Sequence, residues 1–351
     1  FFDKQRPEVK FTSPVSGVVK DVVRGERRRI LEVIVEAKGD ESIDFGKADP
    51  ASTERADIIS RLLDSGSWPA VRQRPYHIVA NPEDTPKAVF ISGFDTSPLA
   101  ADSDYIIDHS SAEDYACGIE ALRKLGGDKV YLSLSPNTSS SVLKETKGVE
   151  INTFSGPHPA GNVGIQIHHL NPVNKGEAVW YVNLQDVVAI GKLFNDGIYA
   201  PDRIVALAGS EVEKPRYHRV RSGASIVNLV KGNIKSENVR YISGNPLTGT
   251  KIEADGYLGY YDSSITVLPE GNRYQFFGWL APGLNKFSLS RTFLTWMMPN
   301  KEYRLDTNYN GGDRAFVMTG QYEKVLPMDV YPMQLLKSII TDDIDKMEQL
   351  G

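Results

Sequence analysis

The sequence predicts an α/β protein built on a mainly parallel sheet, with a β-rich opening before it and a small β-grasp-like module behind it. Three observations carry that expectation. Between Ala51 and about Ala208, amphipathic helical stretches alternate with short apolar runs such as KAVFISGF and KVYLSLS, the pattern of a sheet whose faces are covered by helices. Ahead of it, Val9 to Val35 has the period-two alternation of strands. Beyond it, a strand, a short helix and another strand fit between Lys214 and Gly249.

In chain order, FTSPVSG supplies the turn residues Ser13, Pro14 and Gly17, and VVKDVV follows as a strand. ILEVIVEA sets Leu31, Val33 and Val35 against Glu32 and Glu36, so one face of it is expected to be buried. SPVSGVV with its glycine turn reads as half of a biotinyl/lipoyl-type barrel. It lacks the hairpin lysine that carrier domains modify, which makes it structural. Arg27, Arg28 and Arg29 read as a solvated edge that discourages strand pairing. Thr53 is expected to cap a helix with Ile58, Ile59, Leu62 and Leu63 on one face and Gly66 at its end. SAEDYACGIEALRKLGG is a helix stopped by paired glycines, and VEINTFSG, QDVVAIGKLFNDG and DRIVALAG continue the alternation. In the β-grasp-like module RYHRVRSGA is a strand, Ser225 caps a short helix and VRYISGNPLTG returns as a strand. Strand character is expected again from Tyr257 to Val267, WLAPGLNKFSLSRTF is a long connection, and Pro332 to Leu350 is one amphipathic helix. Asp342, Asp343 and Asp345 on it lack the spacing of a calcium loop and face solvent.

Composition narrows the function. The 351 residues carry a net charge of −5, which gives no general attraction to a phosphate backbone, so nucleic acid is not an expected partner. No apolar run approaches the ~18 residues of a spanning helix; Ile204 to Ala208 is typical. The single cysteine, Cys117, lies among Ala116, Ile119 and Leu122 as a packing residue. An opening on FFDKQRPEVKF without an initiator methionine reads as a fragment of something longer.

Motifs exclude more. No GxGxxG follows a strand, no GxxxxGKS/T is present, and no GxSxG elbow marks a nucleophile. The histidines, His77, His109, His158, His168, His169 and His218, form no metal-binding spacing, and no metal site is expected. If His168 and His169 sat on a strand, they would face opposite sides. RVRSGAS resembles a covalent flavin-attachment motif, but it ends in Ser225 and is better explained as a helix cap. In GPHPAGNVG the residues Gly156, Pro157, His158, Pro159 and Gly161 specify a tight structural loop.

The blocks LLDSGSWPAVRQRPY, VFISGFDTSPLAAD, GPHPAGNVGIQIHHLNPVN, VRYISGNPLTGT and FGWLAPGLNKFSLSRTF resemble, in this order, the A subunit of the bacterial sodium-translocating NADH:quinone oxidoreductases. The resemblance runs from about Val9 to Leu336 and implies a chain lacking the barrel's start and most of a C-terminal helical part. It implies a Rossmann-like domain at 46–210, between a partial barrel at 1–45 and a β-grasp (SLBB-like) module at 211–265, with the connection and helical start at 266–351. It also implies a peripheral subunit on the cytoplasmic face of the inner membrane. That subunit's partners are the B to F subunits, which hold the flavins and iron centres, while NADH and ubiquinone are the substrates of the whole complex. No cofactor or catalytic residue is expected in this chain, and alone it is expected to be inert. The family's architecture is related to the flavin- and NADH-binding subunit of respiratory complex I. Where that relative has a glycine-rich cofactor loop, GSWPAVRQRPYH keeps Gly66 but sets Trp68, Pro69, Arg72 and Arg74 in place of small residues, so the nucleotide site is expected to be filled. A quinone needs an aromatic slot and a few donors, and Trp68, Arg74, Tyr76 and His77 are the candidates. Two alternatives are a flavin- or nucleotide-binding oxidoreductase subunit with an atypical loop, and a free-standing enzyme that uses the GPHPAG loop.

Overall fold

The computed structural model describes residues 1–350 except Asp128, Tyr274, Leu289, Gly311, Asp313, Arg314, Met318 and Thr319. The chain divides into two compact units, one of residues 1–204, 219–223 and 317–351 and the other of residues 205–218 and 224–316.

The first unit opens with an antiparallel hairpin, β1 (Gly17–Arg24) and β2 (Ile30–Ala37), which pair only with each other. The expected buried face is not found. Leu31 is 58% exposed, and a bulge between Val19 and Asp21 interrupts the register, because a two-stranded ribbon has no second layer to pack against. Arg27 and Arg28 lie in the hairpin turn at positive φ, exposed as expected.

Helix α1 (Arg55–Ser65) buries Ile58 and Leu62 and ends at Gly66 in the left-handed conformation, where a Cβ would strike Thr12. Thr53 does not cap it. Its hydroxyl donates back to the Asp49 carbonyl at 2.7 Å, and Glu54 holds the cap position without a side-chain bond. The chain continues through β3 (Arg72–Arg74), β4 (Ile78–Val79), β5 (Val89–Ser92), α2 (Ser103–Asp108), α3 (Ala112–Gly126), β6 (Val130–Leu134), α4 (Ser141–Lys144), β7 (Glu150–Thr153), α5 (Val163–Leu170), β8 (Val179–Asn183) and α6 (Leu184–Asp196). As the paired glycines predict, α3 stops at Gly127 in the left-handed conformation, and Ser111 caps its start by accepting from Asp114 N–H. Cys117 on α3 is half-buried, and burial first, then neighbouring carboxylates, push its thiol up to about 11, so it is no thiolate.

The six strands order as β4-β3-β8-β5-β6-β7. Four consecutive strands, β8, β5, β6 and the edge strand β7, are parallel, and β3 joins β8 antiparallel. One face carries Val89, Ile91, Leu132, Trp180 and Val182 against α1, α3 and α6; the other carries Phe90, Val179 and Tyr181 against Ile167 of α5. The helices α3 and α6 meet backbone to backbone. A Cβ on Gly118 would lie 2.0 Å from the Val187 carbonyl oxygen, and one on Gly191 would lie 1.7 Å from that of Asp114.

In the second unit a sheet orders as β10-β9-β13-β11-β12, from β9 (Asp202–Ala208), β10 (Arg216–Arg221), β11 (Val239–Ser243), β12 (Thr250–Ile252) and β13 (Ser264–Pro269), with the single turn α7 (Val227–Val230) between β10 and β11. β9 and β10 are the strands on which the chain passes between the units. Ile226 rather than Ser225 holds the cap position of α7, and Ser225 Oγ receives the Val227 N–H from just outside it at 3.4 Å. Fully buried Glu211 takes both arms of Arg304, at 2.6 and 2.8 Å, and a hydroxyl from Ser236. These bonds, Arg304 foremost, hold the Glu211 carboxyl at about 2. Glu270 is held at about 2 in the same way by Arg240, Lys251 and Thr307. Residues 304 and 307 belong to the long connection, so two carboxylates pin that connection to the sheet.

In the first unit the predicted C-terminal helix is two helices, α8 (Pro332–Ile340) and α9 (Ile344–Leu350), parted where Asp342 takes positive φ. Asp343 there is bound to Lys346 at 2.7 Å.

Replacing Gly191 by alanine should lower the denaturant midpoint by the equivalent of about 1–3 kcal/mol, because overpacking outweighs the helix propensity that alanine brings. An unchanged or raised midpoint would show that the helices can part without cost. The second expected outcome concerns pH. Glu211 binds its proton less readily folded than unfolded, so its contribution is full above the ordinary value of 4.5 and is lost as pH falls towards about 2. That contribution is at most about 3 kcal/mol, less for the solvent exposure of Arg304. The E211Q variant should therefore show a shallower fall in stability between pH 5 and pH 2 in urea titrations, with the share that Glu270 contributes left in place, and an unchanged slope would show that Glu211 contributes nothing.

Candidate functional site

The candidate quinone residues start at the end of α1. The stretch Ser67 to Ala70 makes a single 3-10 turn in which Ala70 N–H donates to Ser67 O and Val71 N–H to Trp68 O. Gly66 and Ser67 N–H groups close the helix end on Leu63 O and Leu62 O. Amides engaged in this way cannot cradle a phosphate, which takes free donors converging on one point. Pro69 brings none.

The sheet separates the candidates. Trp68 is fully buried, its indole N–H donating to Ala80 O at 2.8 Å and its ring edge-on to Trp180 at 5.5 Å. Tyr181, the next residue of β8, points to the opposite face, and there His77 stacks parallel to it at 5.9 Å and shares a 2.7 Å hydrogen bond with its hydroxyl. The Arg74 guanidinium lies over the same tyrosine ring at 5.4 Å. Arg72 Nη2 donates to the His77 carbonyl at 2.5 Å and fixes the turn that holds His77 at positive φ. Tyr76 is 78% exposed beside it. Arg74, Tyr76 and His77 thus belong to one surface, and Trp68 belongs to the core behind the sheet.

Electrostatics sets the protonation of this group. Burial and the charges of Arg72 and Arg74 hold His77 below the ordinary imidazole value, and burial raises the Tyr181 phenol. In the Nε2-protonated tautomer of the neutral imidazole, Tyr181 O–H donates to Nδ1 and the histidine proton sits on Nε2. That leaves one imidazole donor uncommitted within the pair. Tyr181 is the member that sequence reading missed; on an apolar strand an aromatic reads as core, and its hydroxyl gave no periodic signal.

The GPHPAG loop is held at the carboxyl end of β5. Gly161 N–H donates to Thr96 Oγ1 at 2.9 Å, His158 Nδ1 meets the same hydroxyl at 3.2 Å, and a Cβ on Gly161 would lie 2.6 Å from Thr96 N. Gln166 Nε2, on α5, donates to Ser92 Oγ at 2.9 Å and to Gly161 O. The peptide bond His158-Pro159 is cis, and Gly156 takes φ +139°. His158 Nδ1 and Gln166 Nε2 are spent on the fold, while the buried Gln166 Oε1 accepts no hydrogen bond from the described residues. His168 and His169 lie not on a strand but on the last turn of α5, where His168 Nε2 accepts from Asp329 N–H and His169 Nε2 meets Pro327 O.

A cavity of about 450 Å³ lies elsewhere in the same unit, lined by Thr12, Phe45, Lys192, Tyr199 and Arg221 among others, and no residue of the His77 group lines it. Four of its charges are paired, Lys192 with Asp202 and Arg221 with Asp40, each at 3.9 Å. Among the described residues no three His, Cys, Asp or Glu are placed to hold a metal ion, and no helix is long and apolar enough to cross a membrane.

Comparison with known proteins gives the family. Residues 1–38 match the NqrA N-terminal barrel-sandwich hybrid domain, residues 53–199 the NqrA second alpha/beta domain and residues 204–254 the NQRA C-terminal domain, of SLBB type. Proteins that bear the name of the A subunit of the Na(+)-translocating NADH-quinone reductase are similar over the whole chain. The one from Photorhabdus laumondii is 41% identical and that from Vibrio vulnificus 42%, and the chain covers 79% of the length of each. Among solved structures, an NAD+-reducing NiFe hydrogenase in the air-oxidized state aligns over 63% of this chain and 48% of its own at 16% identity and a TM-score of 0.47, a likeness too low to carry an argument. On the three domain matches and the identity over its full length, the chain belongs to the NqrA family, the A subunits of the Na(+)-translocating NADH-quinone reductases.

Proposed function

We propose that the chain serves as a peripheral subunit without a redox group, held by the membrane subunits of an NADH:ubiquinone reductase that exports sodium, with the flavins and iron centres on the B to F subunits and its own seat on the cytoplasmic face. The observation that carries this reading is the 40–42% identity to A subunits along the entire chain. The core order β7-β6-β5-β8, which reverses beside β5, supports a Rossmann-like ancestry. The engaged amides of Gly66, Ser67, Ala70 and Val71 support the loss of its nucleotide loop. Co-expression with the other subunits tests the assignment: a tag on this chain should recover the membrane subunits and sodium-stimulated NADH oxidation, and recovery of the chain alone would sink it.

The quinone association is assigned to His77, Arg74 and Tyr76, backed by Tyr181. A neutral imidazole with its Nε2 proton outward and a guanidinium beside it are donors suited to a quinone carbonyl, and the exposed Tyr76 ring gives the head group a face to stack on. Acid–base catalysis is not asked of them. In the assembled enzyme, His77→Ala should weaken binding of a short-chain ubiquinone about tenfold, the worth of one hydrogen bond, as read by fluorescence titration. Unchanged affinity removes the assignment. Trp68→Ala should leave that affinity alone and instead cost about 3–5 kcal/mol of stability, measured by denaturant unfolding, because it empties the core.

A further inference from the structure

The exposed large apolar side chains of the second unit concentrate in one stretch. Phe276 and Trp279 are 79% and 66% exposed, and Leu280, Phe287, Trp296 and Met297 are each more than half exposed. Single exposed hydrophobics are ordinary, but a run of them within one segment marks a surface that meets something. Two properties indicate what. Residues 271–301 contain Arg273, Lys286, Arg291 and Lys301 and no aspartate or glutamate, in a chain whose net charge is −5. The cations also stay with the rings. Lys286 Nζ lies 5.6 Å from the Phe293 centroid and the Arg291 guanidinium 5.8 Å from that of Trp296.

We propose that the segment from Phe276 to Met298 seats in the headgroup layer of an anionic lipid bilayer. This rests on the reading that the chain works at a membrane. Aromatic rings and cations occupy the same depth at that boundary, where the rings enter the acyl edge and the cations meet lipid phosphates. A protein partner fits less well. Docking by augmentation or helix packing takes a strand edge or helix, whereas the only regular element among the described residues of this segment is the 3-10 turn Leu294–Met297.

The test is flotation of this 351-residue chain with vesicles of phosphatidylglycerol and phosphatidylethanolamine, against vesicles of phosphatidylcholine. The chain should partition to the anionic vesicles and be released by added salt. K286E/R291E should lower that partition at least about tenfold, since each basic residue contributes roughly fivefold near an anionic surface. W279S/W296S should lower it as well, and thermal melting followed by circular dichroism should show both variants folded. Absent partition, equal partition to both vesicle types, or partition unaffected by both variants overturns the proposal. So does protection of this segment from hydrogen exchange by the membrane subunits in lipid-free detergent, which would make the surface a protein contact. Co-purification with those subunits is scored separately, so the assignment to the complex stands or falls on its own.

Discussion

Adjacent residues of a strand face opposite sides of a sheet, and at Trp180 and Tyr181 of β8 that rule decides what the neighbouring sequence can do. Trp180 turns into the layer of α1, α3 and α6, and Trp68 follows it there, with its indole N–H spent on Ala80. Tyr181 turns the other way, where His77 and Arg74 gather around its ring. Residues that lie within ten positions of one another in the chain are therefore assigned to a core and to a surface by the pleat of a strand more than a hundred positions away.

Legibility in the sequence followed the same division. Apolar periodicity and punctuating glycines placed α1, α3, α6 and the strands β5, β6, β7 and β9, because those signals are local. Where tertiary context chooses, the reading failed. Thr53 prefers Asp49 to the helix it was expected to cap, and the alternation of β2 finds no layer to bury it. The HHL stretch, weighed as a strand, is the last turn of α5, held by the backbone near Pro327. At the candidate site, residue type in RQRPYH singled out Arg74, Tyr76 and His77. Tyr181 could not be seen beforehand, since pairing β3 to β8 is a long-range event without a periodic trace.

The contact between α3 and α6 shows a constraint that composition conceals. Glycine in a helix costs about 1 kcal/mol relative to alanine, so Gly118 and Gly191 are locally unfavourable choices. Each is required because a carbonyl of the other helix occupies the space of its Cβ. The close approach brings Val187, Ile190 and Phe194 down on Ile119 and Leu122 and covers the sheet face on which Trp68 lies. Exclusion of Trp68 from any surface thus traces to helix packing as much as to strand alternation.

Protonation links this architecture to chemistry. A histidine in water is partly cationic near neutral pH, and a cation would take its second hydrogen-bond donor to Nδ1, where the Tyr181 hydroxyl would have to reverse its own proton. Partial burial disfavours that charge first, and the adjacent Arg72 and Arg74 disfavour it further. The arginines therefore do two things at once: they add to burial in keeping charge off the imidazole, and one of them presents its own fixed positive charge on the same surface. A neutral donor beside a permanent cation suits the oxygen of a carbonyl that gains electron density on reduction elsewhere, because the surface stabilises the developing charge without giving up a proton. For a subunit proposed to hold no electron carrier of its own, that is the part of the chemistry that side chains alone can supply.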